Sequence, residues 1–558
     1  MLFKQILPMF LSEPLYQIIE NVLRKIIGVP PVSQRDTLIS KVLEYYKSYF
    51  YFQKRRKYIE TILSKESIKV TLVFDCRFSI ISENWKTDIQ RNDRIPYEII
   101  IIETSEDIEI LKTNLQNYES DYYILFDRPS IFEKLGLHEI LLFINENPDI
   151  KLFFTDHWEN SGGKKTHVCK PSFNEDYYLA YNFIQLPLII ERVTLIKIVK
   201  NTSFKIENSS WIYDVVLFAS LNYKIERLES LTTVTTSYLK NQISQIQSDR
   251  RKSIIEFLEI KKTSATVEYV EPSVLHINRE LTTQAMVSII IPFKDQVELL
   301  KICIQSIIDN TKYNNYEILL INNNSENIET HSYLKEITTE RNNNIYCHEY
   351  NLPFNYSAIN NWAAKQTKAE YLLFLNNDTI VINKGWVTNM CKHIQRETVG
   401  AVGALLLYPD HTVQHAGVII GIGHFAGHSH RHLSSNSNGY MQRLICDQEV
   451  SAVTGACLLT KSNIFELLDG FDEKNLPISN NDVDYCLRLI KNKYKIIFTP
   501  KSKLFHLESK SRSSDTSSKN IKRYKSELSY IRKKFKSNDK FYNKALTRTA
   551  ENFTISKT

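Results

Sequence analysis

Asn376-Asn377-Asp378 follows directly on the apolar run Tyr371-Leu-Leu-Phe-Leu375. A carboxylate at the end of a buried strand can hold a hard divalent cation, which takes oxygen ligands, although the same tripeptide is also a good turn. A cation there could bridge a diphosphate and neutralise a departing phosphate. Asn480-Asn-Asp482-Val-Asp484 precedes the helical pattern Tyr485-Cys-Leu-Arg-Leu-Ile490. Asp482 reads either as a plain helix cap, favoured by orphan N–H groups, or as a general base that deprotonates a hydroxyl. Asp484 and Arg488 stand four apart, the spacing of an ion pair on one helix face. His506, beyond a strand ending Phe498-Thr-Pro500, could complete a metal site with Asp378. His424, His428, His430 and His432 lie close together but lack the scaffold and Cys partners of a structural zinc site. That stretch reads as a flexible loop over a phosphate or an acceptor.

These groups need elements to position them. Val287-Ser-Ile-Ile-Ile-Pro292, Tyr316-Glu-Ile-Leu-Leu-Ile321, Asn344-Ile-Tyr-Cys-His348 and the run ending at Leu375 are apolar segments bounded by turn residues, hence strands. The spacing over 299–310 predicts a helix with Leu300, Cys303, Ile304 and Ile307 on one face. Further helices are expected from about 332 and over 357–366. This alternation predicts parallel strands joined by right-handed crossovers, with ligands at the carboxyl ends of the strands. The first half carries a weaker copy. Val70-Thr-Leu-Val-Phe74, Pro96-Tyr-Glu-Ile-Ile-Ile-Ile-Glu-Thr-Ser105 and Asp121-Tyr-Tyr-Ile-Leu-Phe-Asp127 repeat the segments at 287, 316 and 370 in the same order. We read this as a duplication at domain scale, with 237–270 as a helical connector.

A chain of 558 residues is too long for one hydrophobic core, so two or three domains are expected. A content of 43% hydrophobic and 11% aromatic residues excludes a disordered chain. After residue 500 there are 16 Lys and Arg against 5 Asp and Glu, whereas the whole chain nets only +7, so the preceding part is net acidic. Such a tail is either a solvated helix or suited to an anionic surface; no nucleic-acid module is recognisable. Eight cysteines without a CxxC pair argue for reduced thiols in the cytosol. Neither a signal-peptide pattern nor an apolar run of roughly 18–20 residues is present. Over 15–27 an amphipathic helix is expected, for packing onto its own domain or for a membrane surface.

The segment 287–512 resembles family 2 glycosyltransferases of bacterial O-antigen, capsule and rhamnan assembly. The landmarks are Val287-Ser-Ile-Ile-Ile-Pro292, Phe354-Asn-Tyr-Ser-Ala-Ile-Asn-Asn361, Leu375-Asn-Asn-Asp-Thr379, Gln414-His-Ala-Gly417, Thr454-Gly-Ala-Cys457, Gly470-Phe-Asp-Glu473, Asn481-Asp-Val-Asp-Tyr-Cys-Leu-Arg488 and His506-Leu-Glu-Ser-Lys-Ser-Arg512. The resemblance implies an α/β GT-A fold, a nucleoside-diphosphate sugar donor, inversion at the anomeric carbon and a divalent metal (Mn2+ or Mg2+) at Asp378 and His506. It implies Asp482 as catalytic base. Pro292, Asn322, Asn323, Asn360, Asn376, Asn377, Thr454, Gly455 and Ala456 would bind the nucleotide sugar, and His415, His428, Asp484 and Arg488 would serve the acceptor side and its loop. The family usually has Asp where this chain has Asn322, which leaves the donor base open. The implied acceptor is a glycan, often lipid-linked, at the inner face of a bacterial plasma membrane, with peripheral membrane contact.

The first half resembles the degenerate GT-A-like domain of two-domain members. Asp127-Arg128-Pro129 stands where two carboxylates are expected, and a cation and a rigid ring there argue against a metal. Trp211-Ile-Tyr-Asp214 keeps one carboxylate of the base motif, with Ala219 replacing the usual Arg. The expected organisation is an N-terminal helical segment (1–65), the degenerate domain (66–236), a helical connector (237–284), the catalytic domain (285–512) and a basic helical tail (513–558). Two rivals stand beside this reading: a catalytically inactive scaffold or saccharide-binding protein, and a nucleotidyltransferase. The absence of a Gly-rich phosphate loop counts against the second.

Overall fold

Runs of Val, Ile, Leu and Phe without polar alternation fold as strands covered on both faces. The computed structural model describes residues 68–77, 79, 85, 89, 97–161, 163–201, 204–236, 243–339, 344–507 and 520–556. The expected N-terminal helical segment 1–65, with its helix at 15–27, and the 508–512 end of the His506 motif lie outside them. The first sheet contains β1 (Val70–Asp75), β2 (Glu98–Ile102), β3 (Tyr122–Phe126), β4 (Ser130–Phe132), β5 (Leu152–Ser161), β6 (Lys164–Val168), β7 (Leu188–Glu191) and β8 (Ile225–Thr236). A separate hairpin pairs β9 (Ala265–Glu271) with β10 (Val274–Arg279).

The second half contains β11 (Val287–Phe293), β12 (Tyr316–Asn322), β13 (Ile345–Glu349), β14 (Tyr371–Leu375), β15 (Thr379–Val381), β16 (Val399–Leu407) and β17 (Val413–His415). It continues with β18 (Val418–Ile420), β19 (Ala426–His428), β20 (Gln448–Glu449), β21 (Cys457–Lys461) and β22 (Lys495–His506). All residues of β11 and β16 are buried. Successive residues of a strand face opposite sides: Ile290 enters one apolar cluster with Ile359 and Phe498, whereas Ile289 and Ile291 enter another with Leu300, Cys303, Ile304 and Ile307.

The two sheets share one topology. The order β2-β1-β3-β7-β5-β8-β4 in the first is matched by β12-β11-β14-β21-β16-β22-β15 in the second. Directions agree pair by pair. In this matched order each has three parallel strands, turns antiparallel at β7 or β21, and joins β5 to β8 and β16 to β22 in parallel; β13 adds a further parallel strand at the edge of the second. The register fixes the correspondence: Val70 pairs with Tyr122 as Val287 pairs with Tyr371.

Three expectations change. The connector is a helix over Ile243–Ile260 followed by the β9–β10 hairpin: the chain turns at Lys262 (φ 51°), and the hairpin buries Val267, Val274, Leu275 and Ile277. The strand expected to end at Pro500 runs on to His506. Pro500 cannot donate to the ladder, and the register jumps from Thr499 to Lys503 there. Among the described residues of the tail the helix covers Ile521–Lys534; beyond it, Phe541, Tyr542, Leu546 and Phe553 are buried, so this segment is not a solvated helix. Asn543 Nδ2 donates to Asp156 Oδ2 of β5 at 2.7 Å, tying the end of the chain to the first sheet.

Asp176 ties the halves together further. It pairs with Arg279 of β10 at 2.8 Å and with Arg396 at 2.9 Å. Burial alone would raise its pKa, but the two guanidinium groups outweigh it and hold the carboxyl well below the usual range. All eight cysteines are free thiols. Among the described residues, no helix is long and apolar enough to cross a membrane.

Candidate active site

The carboxyl ends of the second sheet's strands border a cleft of about 540 Å3. The turn between β14 and β15 carries Asn376, Asn377 and Asp378 into it. The antiparallel β15–β22 ladder pairs Thr379 with His506 and so brings His506 beside Asp378. Asp378 is 4% exposed, and its Oδ1 lies 3.2 Å from His506 Nε2.

The tautomer of His506 follows from its neighbours. Gln414 Oε1 lies 2.7 Å from Nδ1, which must therefore carry the proton. In the neutral ring the single lone pair is on Nε2, which lies 3.3 Å from Asn376 Nδ2 and 3.2 Å from Asp378 Oδ1. A lone pair thus faces a buried carboxylate oxygen that has no hydrogen-bond donor. Two acceptors at this separation need a cation or a proton between them, so the pair fits a divalent metal. The Gln414 contact is the outer-shell bond that orients a histidine ligand. Among the described residues no third acidic, His or Cys side chain joins the pair. A Mg2+-type site completed by waters and phosphate oxygens requires none.

Asp482 lies on the far side of the turn carrying Thr454, Gly455 and Ala456. It is not the helix cap: Asn480, in the left-handed region (φ 61°), holds that place without a side-chain bond. Asp482 Oδ2 accepts from Gly455 N–H and Oδ1 from Val483 N–H, both at 2.8 Å. Burial raises its pKa, and the Gly455 and Val483 amides pull it partly back. The approach at Gly455 is tight: a Cβ there would stand 3.3 Å from the Tyr356 hydroxyl. That hydroxyl donates to Gly455 O at 2.9 Å.

Of the residues singled out in the sequence, the cleft gathers Pro292, Asn323, Asn376, Asn377, Asp378, His428, Thr454, Gly455, Ala456, Asp482 and His506. Five others do not line it. Asn322 is fully buried and donates to both oxygens of Glu349 at 3.0 Å. Asn360 donates to Tyr356 O at 2.8 Å, holding the helix that carries Tyr356. Asp484 is buried against Arg488 at 2.8 Å and Lys534 at 2.6 Å. Arg488 also donates to Leu468 O and Gly470 O, so this pair clamps a loop and the tail helix and does not reach the acceptor side. His415 lies behind the wall, its Nδ1 2.8 Å from His428 Nδ1. The expected flexible histidine loop is in fact the β18–β19 hairpin, and His430 is buried. Sequence reasoning missed Gln414, Tyr356 and Tyr524. Gln414 was visible inside its motif, but its pairing with His506 spans 92 residues. Tyr524 reaches the cleft only through the fold of the tail.

Residues 288–468 match the family described as Glycosyl transferase family 2. The chain is 30% identical over 432 residues to the Sinorhizobium fredii protein y4gI, covering 75% of this chain and 47% of that protein. It is 31% identical over 398 residues to O-antigen biosynthesis protein RfbC of Myxococcus xanthus, covering 68% of this chain and 30% of RfbC. The chain therefore spans about half the length of one curated relative and under a third of the other. Similar solved structures include GalNAc-T7 with UDP, GalNAc and Mn2+ (TM-score 0.36, 16% identity, 47% of this chain and 51% of that one). Another is the mannosyltransferase PcManGT from Pyrobaculum calidifontis with GDP-Man and Mn2+ (TM-score 0.35, 14% identity, 46% and 67%). His506 and Asp482 lie beyond the matched stretch, and β22 and the helix Asn481–Lys491 return them to its cleft. The second half of this chain thus carries a glycosyl transferase family 2 domain.

Proposed function

We propose that this protein transfers a glycosyl group, with inversion, from a nucleoside-diphosphate sugar to a hydroxyl of a bacterial surface-glycan acceptor. The observation that carries this reading is the meeting, in one cleft, of His506, of Asp378, whose buried Oδ1 accepts no hydrogen bond, and of Asp482. Asp378 and His506 hold a divalent cation, which supplies the positive charge that stabilises the leaving diphosphate. Pro292 and Asn323, at the ends of β11 and β12, face the nucleoside part of the donor. Asp482 takes the proton of the acceptor hydroxyl as its oxygen bonds to the anomeric carbon and the bond to the diphosphate oxygen breaks. The Gly455 and Val483 amides orient that carboxylate.

Kinship with an O-antigen biosynthesis protein supports a lipid-linked glycan acceptor at the inner face of the plasma membrane. The helix Ile521–Lys534 brings Tyr524 to the cleft and exposes Lys522, Lys525 and Lys533, which suits peripheral contact with an anionic membrane. The test is release of nucleoside diphosphate from a panel of UDP-, GDP-, dTDP- and CDP-sugars with Mn2+. Metal-dependent release or binding of one nucleotide is expected. Failure of all of them to bind would overturn the reading in favour of a saccharide-binding scaffold.

A further inference from the structure

Asp482 is reached from a second helix through the turn at Gly455. The Gly455 N–H donates to Asp482 Oδ2 at 2.8 Å, and the Gly455 carbonyl accepts from the Tyr356 hydroxyl at 2.9 Å. These two groups belong to the peptide planes on either side of one Cα. A glycine has no Cβ to limit how those planes turn, so outside contacts must fix them. A Cβ built on Gly455 would stand 3.3 Å from the Tyr356 hydroxyl and 3.6 Å from Asp482 Cβ, so the residue lies between the two side chains. The next carbonyl, of Ala456, accepts from Asn376 N–H at 3.1 Å. The turn therefore touches Asp482 on one side and the start of the Asp378 turn on the other.

Tyr356 is itself firmly placed. It opens the helix Tyr356–Ala364, whose N-cap Asn355 accepts from Ala358 N–H at 2.9 Å and donates to Glu473 O at 3.0 Å. Ser357 Oγ donates to Leu476 O at 2.6 Å and accepts from Asn481 Nδ2 at 2.9 Å. One helix end thus holds both the segment that leads into Asp482 and, through Tyr356, the turn that meets it. The Tyr356 ring packs near Phe471, with centroids 6.5 Å apart. None of these supporting contacts uses the hydroxyl, so a phenylalanine would keep them.

We propose that Tyr356 is a positioning residue for the base: its hydroxyl fixes the Gly455 carbonyl, which keeps the Gly455 N–H on Asp482 and so aims the carboxylate at the acceptor hydroxyl. This rests on reading Asp482 as the general base of transfer. Without the hydroxyl, the plane after Gly455 is free to tilt. The carboxylate then loses the line of one of the two amides that hold it. Proton transfer tolerates little of this, since a misplacement of about 1 Å can cost on the order of 10²-fold.

The test compares Tyr356→Phe, Asp482→Asn and the double variant of the full chain. Nucleoside-diphosphate release is measured from UDP-, GDP-, dTDP- and CDP-sugars with Mn2+, water serving as acceptor, beside calorimetric binding of the same nucleoside diphosphates. Tyr356→Phe should lower the turnover number by about tenfold, with donor KM and nucleotide affinity within about twofold of wild type. On Asp482→Asn the same change should cost under about twofold, because a carboxylate that is gone cannot be misplaced. Full turnover in Tyr356→Phe, a raised donor KM at unchanged turnover, or a tenfold loss that repeats in full on Asp482→Asn would overturn this inference alone. A wild-type rate in Asp482→Asn, or a wild type that neither binds nor turns over any of the four donors, would overturn the reading of the cleft as well.

Discussion

The two sheets of this chain share a strand order and directions, yet among the described residues the second borders a cleft of about 540 Å3 and the first a space of about 40 Å3. The register shows residue by residue what differs. Asn376-Asn377-Asp378-Thr379 is superseded in the first half by Asp127-Arg128-Pro129-Ser130, so Pro129 stands where Asp378 stands. Thr379 pairs with His506, and Ser130 pairs with Thr235, which therefore replaces the histidine. Counted back from the starts of β22 and β8, Asp482 corresponds to Ile212 and Asp484 to Asp214. By the same count Phe218, and not Ala219, replaces Arg488. The carboxylate that survives in the first half is thus the buried, structural one. Gln185 falls at the place of Gly455 and fills the approach that the glycine leaves open. The space remaining there is about 40 Å3, against about 540 Å3 in the second half. One fold can thus carry different side chains at the same strand ends, and function is argued from those side chains.

Substitutions in corresponding positions break or sharpen this contrast. Asp482→Asn should lower transfer by roughly 10²- to 10⁴-fold, the usual worth of a general base, with nucleotide binding kept. Asp214→Asn should leave transfer unchanged, and a near wild-type rate in Asp482→Asn would remove the assignment of the base. Asp176→Ala should cost about 3–5 kcal/mol of unfolding free energy, since it leaves Arg279 and Arg396 buried without their carboxylate. Denaturant melts read this directly; a loss under about 1 kcal/mol would mean the guanidinium groups find other partners. Asp378→Ala should weaken Mn2+-dependent nucleoside-diphosphate binding by on the order of 10- to 100-fold, whereas Asp127→Ala should not change it. Calorimetry with and without EDTA separates the two outcomes.

The smallest effects concern pH. Burial raises the Asp482 pKa. A base must be deprotonated to act, so transfer should fall on the acid side at a higher pH than an unperturbed aspartate would give. Burial pushes Asp214 up to about 7. Its folded pKa exceeds its unfolded value of 3.8, so the folded state holds the extra proton between those limits. Stability must then decline as pH rises from about 4 to about 7. Asp214→Asn should remove this slope and raise the melting temperature at pH 8 by on the order of a few degrees. An unchanged profile would show that Asp214 is ionised in the fold.

Local physics made much of this legible. Strands at 287, 316, 344 and 371 were visible because a parallel strand buried on both faces needs an unbroken apolar run. Asp378 and Asp482 stood out because turn residues and carboxylates cluster at strand and helix ends. The hairpin inside the connector was not legible, since its short alternation is weak beside the helical spacing of Ile254, Phe257 and Leu258. The course of β22 past Pro500 was hidden because a proline normally ends a strand, and only pairing with β16 and β15 carries it on.

What the sequence determined by itself was the periodicity of its elements, the duplication and the chemical types held at the strand ends, all of which depend on neighbours a few residues apart. What only the tertiary structure decided was which of those groups meet. Thr379 faces His506, Gln414 reaches His506, Gly455 holds Asp482, and Glu551 seats the His428 hairpin. Each contact joins residues far apart in the chain, and the pairing of strands and the packing of the tail fix it where local spacing cannot.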